Sequence, residues 1–128
     1  VSAGHPRPLR FNRTGALESL VIPLYPPLGI GPQRYETAHA RIDADEWLLM
    51  FTDGVTDACN HADERLEDLG FARIADVVFR ENRRRPAVSL VEALNAELTA
   101  YQGQAQAVDD RTFLALHRGA ASLPSAVT

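Results

Sequence analysis

The run Trp47-Leu48-Leu49-Met50-Phe51 constrains this chain most. It follows the turn-prone Asp43-Ala44-Asp45 and stops at Thr52-Asp53-Gly54. A continuous apolar run bounded in this way predicts a strand covered on both faces, and therefore central in its sheet. The other segments must supply its neighbours. Leu9 to Phe11 and Leu17 to Ile22 read as short strands separated by the turn Asn12-Arg13-Thr14-Gly15. The prolines and glycines between Pro23 and Pro32 disfavour regular hydrogen bonding and predict a structured loop. Arg34 to Ile42 alternates as a half-exposed strand would, and Thr112 to His117 reads as a final strand.

The second half turns helical. Ile74, Val77 and Val78 recur at helical spacing, in a helix expected to end within Arg80 to Arg85, before Pro86. A second helix is expected from Ser89 as N-cap, with Glu92 completing a capping box and Val91, Leu94, Leu98 and Tyr101 as its apolar face. Residues 102–107 read as a loop. The fold class expected is α+β, a mainly antiparallel sheet with two helices on one face. So many strand segments in so small a chain, opening almost inside a strand, suggest a piece of something larger.

Composition narrows the function classes. The chain has 128 residues, 45% of them hydrophobic and 23% charged, which offsets chain entropy well enough to exclude full disorder. Its net charge of −4 argues against nucleic acid as a main partner, since phosphate binding needs a basic face. No apolar run approaches the roughly 20 residues that span a bilayer, so no membrane segment is expected. The first residues show neither the charged nor the apolar region of a signal peptide. The single cysteine, Cys59, excludes an internal disulfide and fits a reducing, cytoplasmic setting.

Two acidic sites stand at strand ends. Asp53 closes the central apolar run and is followed by Gly54, which lets the chain turn away. A carboxylate held there by rigid backbone is a ligand suited to a hard divalent cation, or simply the start of a turn. Asp109-Asp110-Arg111-Thr112 is the reverse case, with carboxylates just before an apolar strand, either as ligands or as an Asx-type turn. Were the two strands antiparallel neighbours, Asp53 and Asp109 would converge at one end of the sheet. Clustered acids of that kind call for a cation or a proton between them.

Three segments then resemble the metal-dependent protein phosphatase superfamily, in the bacterial branch typified by stage II sporulation protein E and the sigma-B stress-response phosphatase. Ser2-Ala3-Gly4-His5-Pro6-Arg7-Pro8-Leu9 is similar to the family's Asn-Ala-Gly-His-Pro-Pro-Pro segment, departing at Ser2 and Arg7. Leu48 to Ala58 follows its strand-to-aspartate pattern, with Asp57 where relatives often carry Glu. Asp109-Asp110-Arg111-Thr112 resembles its Asp-Asp-x-Thr ending, and Pro27-Leu28-Gly29-Ile30-Gly31 is a weaker fourth match.

The resemblance implies residues 1–118 as the C-terminal part of a phosphatase 2C-like domain, an α/β/β/α sandwich, with 119–128 as a flexible tail. It implies a metal-dependent serine/threonine phosphatase that uses two Mn2+ or Mg2+ ions, with Asp53 and Asp109 as metal ligands. Asp110, where wider relatives often carry Asn, ranks below them. The substrate implied is a phosphorylated anti-anti-sigma factor in a partner-switching pathway, with an N-terminal sensor domain in the full-length protein. Two or three aspartates fall short of the six or so oxygens such an ion takes, so the remaining ligands are expected from a preceding half of the domain. The competing reading is a truncated or degenerate, non-catalytic domain used for protein interaction. His5 is expected to fix the turn from Gly4 to Pro6, with general acid as its other reading. Cys59 lacks an evident base beside it for a nucleophilic role. Arg80, Arg83, Arg84 and Arg85 read as a solvated helix end or as a contact for an acidic partner.

Overall fold

The computed structural model describes residues 1–106 and 109–120. The elements, in chain order, are β1 (Ser2–Ala3), β2 (Leu9–Phe11), β3 (Leu17–Ser19), β4 (Leu24–Tyr25), β5 (Glu46–Phe51), α1 (Asp53–Thr56), α2 (Glu67–Asn82), α3 (Ala87–Gln102) and β6 (Phe113–Arg118). Four strands form an antiparallel sheet in the order β3-β2-β5-β6, while β1 and β4 pair in parallel as a separate two-stranded ribbon. The apolar run is interior, as its composition requires. Leu49 faces Leu9 and Trp47 faces Phe11 on one side, and β6 pairs along its whole length on the other, from Glu46↔Arg118 to Phe51↔Phe113.

The two long helices cover one face of this sheet. Leu9, Phe11, Trp47, Leu49 and Phe51 point into a single core with Phe71, Ala75, Val78 and Phe79 of α2 and Leu90, Leu94 and Leu98 of α3. Burial of each such side chain contributes about 1.5–3 kcal/mol, which is what holds helices whose own propensity is modest. Aromatic contacts set the spacing: Phe11 stacks on Phe79 with centroids 3.8 Å apart, and Phe51 meets Phe71 at a tilt of 59° with centroids 4.5 Å apart. The opposite face stays apolar but open, with Leu48 and Met50 half-buried and Leu114 and Leu116 each 50% exposed.

Several expectations are corrected. Arg34 to Ile42 forms no strand. It joins neither sheet, although β3 and β6 are edge strands. Side chains hold it instead: Tyr35 packs edge-on against Tyr25 at 5.1 Å, and the Glu36 N–H donates to the Tyr25 hydroxyl at 3.0 Å. The strand expected over Leu17 to Ile22 shortens to β3, because its partner β2 is only three residues long and begins just after Pro8.

Ser89 is not the N-cap of α3. Pro86 is, with φ at −56°, and Ser89 lies inside the helix with its N–H donating to the Pro86 carbonyl at 3.0 Å. Proline loses nothing at a helix start, where N–H groups have no intrahelical partner. The buried faces also rotate from the expected ones. In α2 it is Phe71, Ala75, Val78, Phe79 and Asn82, with Val77 exposed; in α3 it is Leu90, Leu94, Leu98 and Gln102, with Val91 and Tyr101 half-buried. A short additional helix, α1, follows β5 directly. The loop expected over 102–107 is found as far as it is described, and the tail expected over 119–128 lies outside the described residues from 121 onward. Among the described residues, no helix is long and apolar enough to cross a membrane.

Candidate metal centre

Antiparallel pairing of β5 and β6 puts the end of one strand beside the start of the other. One step beyond Phe51↔Phe113, Thr52 and Thr112 lock the two chains together. The Thr52 N–H donates to the Thr112 carbonyl at 3.2 Å, and the Thr112 N–H donates to Thr52 Oγ1 at 3.0 Å. Thr52 Oγ1 in turn donates to the Asp110 carbonyl at 3.3 Å. A single hydroxyl thus ties the Asp109–Thr112 segment to the end of β5.

Gly54 explains why the approach is so close. A Cβ at this position would overlap the Asp110 carbonyl oxygen and sit 2.9 Å from its carbon and 3.3 Å from the Asp109 carbonyl carbon. Only glycine leaves room for one backbone against another. The Asp53 and Asp109 segments are therefore in backbone contact, at the end of the sheet where the sequence had placed them.

The carboxylates are open to solvent. Asp53, Asp109 and Asp110 are all exposed. Asp53 opens α1, and its carbonyl accepts from the Asp57 N–H at 2.8 Å and from the Thr56 hydroxyl at 3.1 Å. Its carboxylate has no hydrogen-bond donor among the described residues. Asp109 spends Oδ1 on the Asp110 N–H at 2.7 Å, which fixes the side chain, and its second oxygen has no donor among the described residues. Oxygen donors of this kind suit Mg2+ or Mn2+. The donor chemistry fits a divalent cation, but the number of donors is only part of a coordination shell. Among the described residues no group of three or more His, Cys, Asp or Glu side chains gathers as a metal cage would.

The other matched segments build turns. Ser2 Oγ donates to the His5 carbonyl at 2.8 Å, and His5 Nδ1 donates to the Pro6 carbonyl at 2.9 Å, so both side chains hold the loop after β1. Gly4 has φ at +77°, and a Cβ there would lie 2.6 Å from Pro27 Cγ, which brings the first motif against the Pro27–Gly31 loop. Asp57 pairs with Arg65 at 3.5 Å, and half-buried Cys59 Sγ donates to the Asp57 carbonyl at 3.4 Å with no base against it. One feature of the sheet had no sequence signal. Arg10 on β2 holds Glu46 on β5 in a two-point grip, with Nε to Oε2 at 3.0 Å and Nη2 to Oε1 at 2.8 Å. These residues are 36 apart in sequence and become neighbours only through the β2–β5 register.

An antiparallel sheet backed by two helices is the arrangement shared with protein phosphatase 2C (PP2C) domains. The fold resembles the PP2C domain of SiaA from Pseudomonas aeruginosa, with a TM-score of 0.67 and 21% identity over 88% of this chain and 43% of that one. It resembles the structure of the RsbU and RsbW domains of a Mycobacterium tuberculosis protein at 0.67 and 25% identity, covering 94% of this chain and 32% of that one. The Mn-presoaked phosphatase domain of SpoIIE from Bacillus subtilis matches at 0.68 with 17% identity, over 95% and 50%. The chain belongs to the Stage II sporulation protein E (SpoIIE) family, whose family model it matches over residues 1–119. It spans half or less of the length of each of these solved chains. No curated protein matches it.

Proposed function

We propose that this chain is the C-terminal part of a metal-dependent serine/threonine protein phosphatase domain, and that Asp53 and Asp109 each contribute a ligand to its metal centre. The observation that carries this reading is the interlock of Thr52 and Gly54 with the Asp109–Thr112 segment, which holds two hard oxygen donors at one end of a rigid sheet. Two Mn2+ or Mg2+ ions bound there would lower the pKa of a water and neutralise charge gathering on a phosphoryl group. This chain's own contribution is to hold the donors still. Asp53 is fixed between a strand end and a helix start, Asp109 by the Asp110 N–H, and Thr52 keeps the spacing of the two segments. The remaining ligands belong to the other half of the sandwich, whose sheet would stack on the open face of Leu48, Met50, Leu114 and Leu116.

The substrate class we infer is a phosphorylated anti-anti-sigma-type protein in a partner-switching pathway, acted on in the cytoplasm; the family match and the likeness to a chain with RsbU and RsbW domains support this reading. A sensor domain N-terminal to the phosphatase would control it. The test is Mn2+-dependent hydrolysis of a phosphoserine protein by the intact protein. Asp53→Ala and Asp109→Ala are each expected to lower the rate by roughly 100-fold or more, beyond the losses typical of residues that only orient a ligand. Unchanged activity in either variant would remove that residue from the metal centre. Absence of Mn2+-dependent hydrolysis by the intact protein would favour a non-catalytic interaction domain.

A further inference from the structure

At the other end of β5, away from Asp53, a cavity of about 420 Å³ opens between the β2–β3 turn, the start of β5 and the C-terminus of α2. Its walls carry Arg13 from the turn, Arg83 and Arg84 from the end of α2, and His117 from β6. Asp45 is the one carboxylate lining it. Three guanidiniums against one carboxylate leave an excess of two positive charges, in a chain whose net charge is −4. None of the three arginines forms an ion pair among the described residues, whereas Arg10, Arg41, Arg65 and Arg80 all do.

The cavity is formed by the fold and not only by long side chains meeting in solvent. Its floor is aromatic, made by Trp47 and Phe79, and exposed His117 is stacked on Trp47 with centroids 4.3 Å apart. An apolar floor lowers the local dielectric and strengthens any charge pairing above it. Arg83 reaches back across the gap, with Nη1 against Gly15 of the β2–β3 turn, 3.2 Å from where a Cβ would stand. The last carbonyls of α2 do not compete for these arginines' side chains. Phe79 accepts from the Arg83 N–H at 2.8 Å and Asn82 from the Arg85 N–H at 2.8 Å.

We propose that this cavity binds a phosphate-monoester dianion, either a small phosphate or one carried on a protein side chain, at a site separate from the aspartates. The excess of two charges matches a group that carries roughly −1.5 to −2 near neutral pH, and planar guanidinium forks pair with phosphate oxygens two at a time. The test is calorimetry on the intact protein without metal, in EDTA, titrated with inorganic phosphate, free O-phosphoserine and a short phosphoserine peptide. All three are expected to bind, more weakly as NaCl is raised. The Arg83→Gln/Arg84→Gln double variant should weaken binding by at least about tenfold, as loss of charge-assisted hydrogen bonds implies. Arg13→Gln, on the opposite wall, should weaken it too, while Asp53→Ala should bind as wild type does.

A phosphopeptide that binds at least about tenfold tighter than O-phosphoserine places the natural ligand on a protein, since only then do contacts beyond the phosphate contribute. Equal affinity identifies a small phosphate. Absence of phosphate binding, or binding unaffected by all three arginine substitutions, would overturn the proposal. So would binding lost in Asp53→Ala, because the phosphate would then belong to the other end of the sheet. The metal-free readout separates failure of this proposal from failure of the phosphatase reading.

Discussion

Gly54 sits where two segments 55 residues apart in sequence touch backbone to backbone, and its missing side chain is what permits the contact. Gly54→Ala must push the Asp109–Asp110 segment away. It should cost about 1–3 kcal/mol in urea unfolding, as overpacking does, and weaken Mn2+ binding in the same variant. Stability equal to wild type would show that the segment yields freely. Glu46 gives a second prediction at this scale. The Arg10 guanidinium, and next the Asp43 N–H donating at 2.8 Å, hold its carboxyl below the usual carboxylate range. A pKa lowered in the folded state contributes stability above the unfolded value of about 4.3 and loses it as pH falls through the folded value. Urea midpoints should therefore drop more steeply from pH 6 to pH 3 in wild type than in Glu46→Gln. Parallel curves would mean that the pair does not report on folding.

Individual elements were legible in proportion to how far local sequence decides them. Trp47 to Phe51 announced a central strand, and β2 and β6 do pair along its two edges, but the cover expected on both faces is found on one only, with Leu48 and Met50 half-buried on the other; both acidic segments lie at strand ends. Arg34 to Ile42 misled because alternation describes one strand, while a strand exists only once it pairs with a partner, and this segment pairs with none. The helix start misled for a different reason: Ser89 and Glu92 fit a capping box, yet Pro86 caps the helix three residues earlier than expected. That correction is measurable. Ser89→Ala should change stability by less than about 0.5 kcal/mol, where loss of a true N-cap costs about 1 kcal/mol. A loss at the higher value in urea unfolding would restore Ser89 as the cap. The Arg10–Glu46 grip carried no sequence signal, and of the arginine cavity only the run at the end of α2 was legible, because the β2–β5 register and the packing of α2 bring the other residues to it.

At the scale of the whole molecule, β5 is an axis with unlike ends. Exposed Asp53 and Asp109 stand where it stops, and arginines without ion-pair partners among the described residues line a cavity where it starts, while its inner face packs on two helices and its outer face stays open. This polarity fits a domain that holds cations at one end and anions at the other, and it rests on the claim that Asp53 and Asp109 serve one metal centre. Mn2+ binding to the intact protein, measured by calorimetry for wild type, Asp53→Asn and Asp109→Asn, tests that claim most directly. Asparagine keeps the shape of the side chain, and at Asp109 it keeps an oxygen for the Asp110 N–H, so folding should be preserved while a charged donor is lost. Each variant is expected to bind Mn2+ at least roughly tenfold more weakly than wild type, with an unchanged melting temperature in the absence of metal. Wild-type affinity in both variants would contradict the assignment.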